Sequence, residues 1–364
     1  MFHVRIYISS ALKKIKGVLS REATAIEAIL KLLKQVDVDG IPQSDLVRLT
    51  GYSRQAISQA LSMLEGRGVV RRLRVNGELR VWLSNRLPQG EVKAFRLGLI
   101  KALEYPFVVP LKRRLRDEGL ALDVKVYPSG LEVLKDLLRG RLEAALAPLT
   151  TQLLYYELSM GSLELLAVAA RGGGGLLSRA SRVTQGVKVA STALSSMEAY
   201  SLTSLKRLGI EEAEVSMSYK PSANDICEAL NRGLVEAASI WEPYATMLEE
   251  HGFKRLIDYL TDLDEPICCV LSVRSSLSED LKLKVLKCYL NSHIDFKASK
   301  DQYLTGYASL LDLPRRLLTR ALKALRFDPH LEFSEAYRTL KALNLGSLTP
   351  ALRLAKSAIV NGLL

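Results

Sequence analysis

The sequence predicts an α/β protein made of two modules. The first is small, basic and mainly helical, whereas in the second, from Ala94 onward, short apolar runs alternate with helical segments. The 364 residues are enough for two or three domains. Hydrophobic residues make up 48% of the chain and charged residues 25%, which excludes an intrinsically disordered protein.

The charge is unevenly distributed. Lysine and arginine number 51 against 39 acidic residues, a formal charge of +12, and residues 1–92 carry more than half of that surplus. The stretch from Arg48 to Arg86 contains arginines but no lysine. Because arginine pairs with phosphate and guanine through two parallel hydrogen bonds, this bias favours nucleic acid as a partner.

The sequence shows neither a clear targeting segment nor a metal-binding spacing of cysteines. No apolar run is long enough for a transmembrane helix, and the N-terminus lacks the order of a signal peptide, so we expect a cytoplasmic protein without membrane contact. Cys268 and Cys269 are adjacent, which does not suit joint metal ligation, and we interpret them as small apolar residues of a buried strand. We expect no metal and no cofactor.

The N-terminal module shows three helical patterns. Apolar spacing predicts a helix over about Arg21–Gln35, and a second over Ile41–Thr50. Ser53 caps a third that runs to about Glu65, with a polar outer face.

A basic hairpin follows these helices. Val69–Val75 and Leu79–Leu83 flank Asn76-Gly77-Glu78. Pairing Val75 with Leu79 places the apolar residues on one face and the arginines on the other, whereas a two-residue Asn-Gly loop mixes the faces. We therefore predict a three-residue loop with Gly77 or its neighbour in a left-handed bulge position.

Three helices and a hairpin make a winged helix-turn-helix, here predicted over residues 1–84. The segment "IPQSDLVRLTGYSRQAISQALSMLEGRGVVRR" (Ile41–Arg72) resembles winged regulators of the MarR type. The resemblance implies that the third helix enters the major groove and the hairpin contacts the DNA backbone. The alternative is a winged helix that contacts only protein. The predicted DNA-binding residues are Ser53, Arg54, Gln55, Ser58, Gln59, Ser62, Arg71, Arg72, Arg74 and Arg80.

A polar linker, residues 85–93, leads to the larger module, residues 94–364. No phosphate-binding glycine motif follows any of its predicted strands. Its segments "LLAVAARGGGG" (Leu165–Gly175) and "EALNRGLVEAASIWEPY" (Glu228–Tyr244) resemble type 2 periplasmic binding proteins, in particular the nitrate, sulfonate, taurine and thiamine-pyrimidine-precursor binders. The resemblance implies two lobes, about 94–180 with 268–364 and about 181–267, a ligand cleft between them and a helical C-terminal tail.

Candidate ligand-binding residues lie after predicted strands or at helix starts, where open α/β sheets bind ligands. They are Lys101, Glu104, Ser129, Pro148, Thr150, Arg171, Gly172, Gly173, Thr192, Ser195, Ser196, Trp241 and Glu242. Trp241 is suited to stack on a planar ligand while Glu242 accepts a hydrogen bond. Structural alternatives remain for four of these features: a solvated Lys101–Glu104 pair, a flexible glycine hairpin, a plain serine cap and Trp241 as packing.

Together these features predict a ligand-responsive transcription regulator. It binds double-stranded DNA, senses a small-molecule effector in the cleft and acts as a homodimer. The order of modules is also that of LysR-type regulators, but the long dimerising helix of that family is absent. The alternative is a substrate-binding protein of a sulfonate, nitrate or pyrimidine transport system. No arrangement of catalytic residues is visible, so we expect no enzyme.

Overall fold

The computed structural model describes residues 24–34, 40–75, 78–84 and 93–356. The chain divides into a smaller unit, Met1–Lys93 with Gly119–Ala121, and a larger unit, Ala94–Glu118 with Leu122–Leu364. The first predicted helix is described only from residue 24. Residues 85–92 of the predicted linker, the Gly77 bulge and the end of the helical tail lie outside the described residues.

The smaller unit combines helices with a small antiparallel sheet. Its elements are α1 (24–34), β1 (Ile41–Pro42), α2 (Gln43–Thr50), α3 (Arg54–Gly66), β2 (Val70–Val75) and β3 (Glu78–Leu83), with the strands in the order β1-β3-β2. Ser53 caps α3 by accepting a hydrogen bond from the backbone N–H of Ala56. The inward faces of the helices and the sheet form one apolar core that includes Ile29, Leu46 and Ile57.

The hairpin corrects the predicted register. Val75 pairs with Glu78, not with Leu79, which is the register of a two-residue loop. The predicted register would place Trp82 on the solvent face, but Trp82 is buried, and a Cβ on Gly40 would lie 2.6 Å from its ring. Leu73 is 40% exposed instead, because burying the larger indole stabilises the fold more than burying the leucine.

The larger unit contains two sheets, one in each lobe. Lobe I holds the six-stranded sheet in the order β14-β7-β13-β6-β4-β5, and lobe II the five-stranded sheet in the order β10-β9-β11-β8-β12. The strands are β4 (Lys93–Ile100), β5 (Leu120–Tyr127), β6 (Ala144–Pro148), β7 (Leu163–Gly172), β8 (Gly174–Ser178), β9 (Lys188–Ser191), β10 (Ser216–Tyr219), β11 (Ala237–Trp241), β12 (Lys254–Asp258), β13 (Ile267–Arg274) and β14 (Leu325–Arg326).

Helices connect and cover these sheets. They are α4 (Val108–Asp117), α5 (Gly130–Leu138), α6 (Leu149–Leu158), α7 (Ser196–Arg207), α8 (Ala223–Asn231), α9 (Tyr244–Glu250), α10 (Glu279–Ala298), α11 (Lys300–Leu311), α12 (Arg315–Ala321), α13 (Phe333–Ala342) and α14 (Thr349–Ala355). Across the described ranges, no helix combines the length and the apolar character that a membrane crossing requires.

The chain crosses between the lobes twice. The first crossing is at Gly173, between β7 and β8, and the second is the segment 259–266 between β12 and β13. The predicted boundary near residue 180 is therefore too late. The glycine run of this region is a strand connection, since β8 pairs with β11 and β12 in the second sheet.

Candidate ligand-binding cleft

A cleft of about 680 Å³ lies within the larger unit, between lobe I and lobe II. Three helices of at least nine residues begin at its wall: α5 after Ser129, α7 after Ser195 and α8 after Ser222. The first N–H groups of a helix have no partner inside the helix, so each start offers hydrogen-bond donors and a partial positive charge. Three such starts around one cleft favour an anionic group on the ligand.

Residues at the helix starts adjoin strand ends. Gly130 begins α5 so close to the end of β6 that a Cβ there would lie 2.7 Å from Cδ of Pro148. Ser195 caps α7 through the N–H of Glu198, and its hydroxyl lies 2.7 Å from that of Thr192. Ser195 is therefore both a helix cap and part of the cleft wall.

Cations and acids both line the cleft. Lys220 is half-buried there, and within the described part of the chain its ammonium has no ion-pair partner. Glu132 is paired with Lys135, and Asp225 accepts a hydrogen bond from the hydroxyl of Ser222. Both Glu132 and Asp225 are thus engaged locally, which leaves Lys220 and the helix starts to face a ligand.

Trp241 forms an apolar part of the wall at the end of β11. Its indole Nε1 donates a hydrogen bond of 3.0 Å to the carbonyl of Lys101, which fixes the ring. Glu242, the first residue after the strand, does not line the cleft. It is fully buried in lobe II, where Arg255 donates to Oε1 at 2.6 Å and the N–H of Thr246 donates to Oε2 at 3.0 Å.

The floor of the cleft carries Glu104, Cys268 and Cys269. The two sulfur atoms lie 3.5 Å apart, and Sγ of Cys268 lies 3.9 Å from Oε1 of Glu104. Adjacent residues of a regular strand point to opposite faces, but the pairing of β13 with β7 shifts register on both sides of Cys269. Such a bulge re-aims a side chain, and both thiols face the same cleft.

Glu104 is the buried acid of this floor. It is 1% exposed, and its Oε2 has no hydrogen-bond partner among the described residues. Burial raises the pKa of its carboxyl well above the usual range, and the neighbouring Cys269 adds to that shift. The hydrogen bond between the two thiols, together with burial, likewise raises the pKa of Cys268. Burial thus favours the uncharged forms of Glu104 and Cys268.

The sequence-predicted ligand residues divide into two groups. Those that line the cleft are Glu104, Ser129, Pro148, Thr192, Ser195 and Trp241. Those that do not line it are Lys101, Thr150, Arg171, Gly172, Gly173, Ser196 and Glu242.

The residues of the second group have structural contacts instead, and those of Thr150 and Ser196 connect the two lobes. The hydroxyl of Thr150 lies 3.3 Å from that of Ser196, and Ser196 donates to the carbonyl of Cys268. Arg171 forms an ion pair with Glu335 away from the cleft. Gly173 has a φ of +79°, and a Cβ there would lie 2.4 Å from Leu325, so this glycine serves the crossing of the chain and not a ligand.

Other lining residues escaped the sequence reasoning. They include Tyr105, Glu132, Met197, Tyr219, Lys220, Ser222, Asp225, Cys268 and Cys269. The start of α8 was detectable, because Ser222 and Asp225 have the spacing of a helix cap with an acid in the first turn. The cysteine pair was not, because only the bulge brings both sulfurs to one face.

The predicted DNA-binding residues lie in the smaller unit. Arg54, Gln55, Ser58, Gln59 and Ser62 are exposed on α3 as the periodicity predicts. Arg72, however, donates to Glu65 through its backbone and its guanidinium, and this pair lowers the pKa of the Glu65 carboxyl. One of the arginines expected to meet phosphate is thus engaged within the unit.

Comparisons with known proteins find similarity at the level of the fold. The chain resembles a zinc-bound ligand-binding component of an ABC-type import system from Staphylococcus aureus, with a TM-score of 0.66, 15% identity and coverage of 74% of this chain and 98% of that one. It resembles the periplasmic aliphatic sulphonate binding protein of Escherichia coli, with a TM-score of 0.59, 18% identity and coverage of 74% and 92%. The corresponding values for the periplasmic nitrate-binding protein of Synechocystis PCC 6803 are 0.61, 13%, 75% and 88%. No family model and no curated protein matches the chain.

The chain therefore has a mixed α/β, two-lobed, periplasmic-binding-protein-like fold. The matches also correct the functional prediction, because the matching structures are binding proteins of import systems or of the periplasm. They contradict the DNA-binding transcription regulator, the double-stranded DNA partner and the cytoplasmic location, and favour the alternative, a substrate-binding protein of a transport system. A basic surplus and an exposed polar helix face are common to many surfaces and did not establish a DNA partner.

Proposed function

We propose that the larger unit is the ligand-binding component of an import system and that its ligand is a small organic anion with an apolar body. The observation that carries this proposal is the group of three helix starts around one cleft. Lys220 adds the complementary full charge. The similarity to import-system and sulphonate-binding structures agrees with this role.

The apolar body of the ligand is inferred from the size and walls of the cleft. About 680 Å³ is within the range of sites for organic ligands and far larger than one inorganic anion such as nitrate requires. Apolar side chains including Ile100, Leu131, Met197 and Trp241 surround the space between the helix starts. An alkyl or aryl chain bearing a sulfonate or carboxylate matches both the apolar walls and the helix starts.

Binding is tested with paired ligands. Alkanesulfonates of increasing length are compared with nitrate and with alkylammonium ions of the same lengths, by calorimetry and thermal unfolding. At 100 times its dissociation constant a sulfonate should stabilise the protein by about 2.7 kcal/mol, while the matched cation should not. Equal responses to anion and cation would contradict the proposal.

Two variants locate the anionic group. Ser195→Asp keeps a good helix cap but adds a negative charge to the cleft, so anion affinity should fall at least about tenfold. Lys220→Gln should weaken binding less, and Lys206→Gln, an exposed change on the last turn of α7, is the matched control. Unchanged affinity in Ser195→Asp would place the anion elsewhere.

We infer, in addition, that the smaller unit has the winged-helix architecture. The order of its helices and the antiparallel sheet β1-β3-β2 support this inference. The inference concerns architecture alone and carries no DNA-binding role. Excision of residues 1–92 would test whether this unit contributes to ligand binding.

A further inference from the structure

The floor of the cleft groups three potential metal ligands that the proposed organic anion does not require. Cys268, Cys269 and Glu104 each offer one donor atom, and the three atoms lie within 4.8 Å of one another. All four cysteines of the chain are free, and this pair is separated by 3.5 Å, well beyond an S–S bond of about 2.05 Å.

The distances match a tetrahedral metal centre. Zn–S bonds of about 2.3 Å and a Zn–O bond of about 2.1 Å place tetrahedral ligands about 3.8 Å apart for two sulfurs and about 3.6 Å apart for sulfur and oxygen. The corresponding separations here are 3.5 Å and 3.9 Å. The donors are thus already near the positions that zinc requires.

The carboxyl of Glu104 gives an independent indication of a ligand. Its Oε2 is buried without a hydrogen-bond partner, and no described lysine, arginine or histidine pairs with it. A buried polar atom without a partner destabilises the fold unless a bound group satisfies it. A side chain on residue 173 would enter this space, since a Cβ on Gly173 would lie 3.2 Å from Oε1.

The chemistry of the donors selects a thiophilic divalent ion. Each thiol and the carboxyl of Glu104 release a proton to solvent as they join the metal, so the ion with two thiolates and one carboxylate carries a net charge of −1 in place of +2. This limits the charge placed in a buried site. Hard ions such as magnesium prefer an all-oxygen ligand set. The fourth position faces the cleft, where a water or a ligand atom can enter.

We propose that Cys268, Cys269 and Glu104 form a zinc-binding site at the floor of the cleft. Zinc binding is measurable without any organic ligand. This proposal does not depend on the proposed function.

The experiment uses the full chain, reduced and free of oxygen, with zinc chloride alone. Competition against a chromogenic chelator should give one zinc per chain. Cys268→Ser and Cys269→Ser should each weaken zinc binding at least about tenfold, whereas Cys227→Ser and Cys288→Ser, which change buried cysteines outside the cluster, should leave it unchanged. Equal affinity in all four variants, or no competition by the wild-type protein, would overturn the proposal.

Cobalt gives a second readout that does not depend on the folding of serine variants. Cobalt bound to the wild-type protein should show a thiolate-to-metal charge-transfer band in the near ultraviolet. Glu104→Gln should keep this band and weaken the affinity, while one cysteine replacement should halve its intensity. A cobalt complex without the band excludes thiolate ligation and overturns the proposal.

Discussion

Glu104 and Glu242 are both buried carboxyl groups of the larger unit, but their surroundings differ. Glu242 lies inside lobe II, where both of its oxygens accept hydrogen bonds, one from Arg255 and the other from the N–H of Thr246. Glu104 lies at the cleft floor, with one oxygen without a partner and no cation beside it among the described residues.

The difference separates two uses of a buried carboxyl group. Burial raises the pKa of Glu242, and the guanidinium of Arg255 opposes that shift with charge and hydrogen bonds, so the fold satisfies this acid by itself. At Glu104, no described cation opposes the rise in pKa that burial causes. A polar group that the fold leaves unsatisfied inside a cleft is a position where a ligand adds what the chain omits.

The largest expected effect comes from breaking the satisfied pair. Arg255→Met leaves Glu242 buried without its cation and should destabilise the protein by about 3–5 kcal/mol in urea unfolding. Arg232→Met is the matched control, since Arg232 and Glu228 form an exposed pair worth about 0.3–0.5 kcal/mol. Similar losses in both variants would remove the distinction between the two kinds of pair.

His293 extends the comparison to a second unsatisfied group. Both ring nitrogens are buried without hydrogen-bond partners among the residues that the structure describes, the ring stacks on Phe107 at 3.9 Å, and burial lowers its pKa to about 3. The folded state excludes the proton that the unfolded chain binds below pH 6.5. The free energy of unfolding should therefore decrease as the pH is lowered from about 6.5 to 3. The slope is about 1.4 kcal/mol per pH unit for this group.

The measurement compares urea unfolding at pH 7 and pH 5.5. His293→Phe keeps a stacked ring and should remove about 1.4 kcal/mol of the loss, whereas His251→Gln, at an exposed helix end, should not. An unchanged pH dependence in His293→Phe would show that another group titrates.

Trp241 is a cleft residue whose polar atom has a hydrogen-bond partner within the fold. Trp241→Phe keeps an aromatic wall but removes the hydrogen bond to the carbonyl of Lys101, which should cost about 1 kcal/mol in urea unfolding. No loss of stability would indicate that this hydrogen bond does not hold the ring in solution.

The smallest effect on stability is expected at Glu104 itself. Glu104→Gln should change the free energy of unfolding by about 1 kcal/mol or less without metal, because no strong partner is lost. The same variant should weaken zinc binding. A loss as large as that of Arg255→Met would instead make Glu104 a structural residue.

Some of the cleft was predictable from local rules. Ser129 and Ser195 were found because each directly precedes a helix and open α/β sheets bind ligands at such positions, although only Ser195 caps its helix through a side-chain hydrogen bond. Glu242 was misassigned because its position after a strand does not reveal its contacts with Arg255 and Thr246, which hold it inside lobe II. The predicted hairpin register was wrong because it was chosen to put apolar residues on one face and arginines on the other. It did not take into account that Trp82 packs against Gly40.

The sequence by itself determined the alternation of strands and helices and the helix caps at Ser53 and Ser195, because each follows from short-range periodicity and backbone chemistry. The two lobes were expected only from the resemblance to type 2 periplasmic binding proteins. The sequence did not determine the partner, since charge composition alone does not select one. Only the tertiary structure decided that Cys268 and Cys269 face one cleft together with Glu104. The bulge in β13 and the glycine crossing beside Glu104 depend on pairing between residues far apart in the chain.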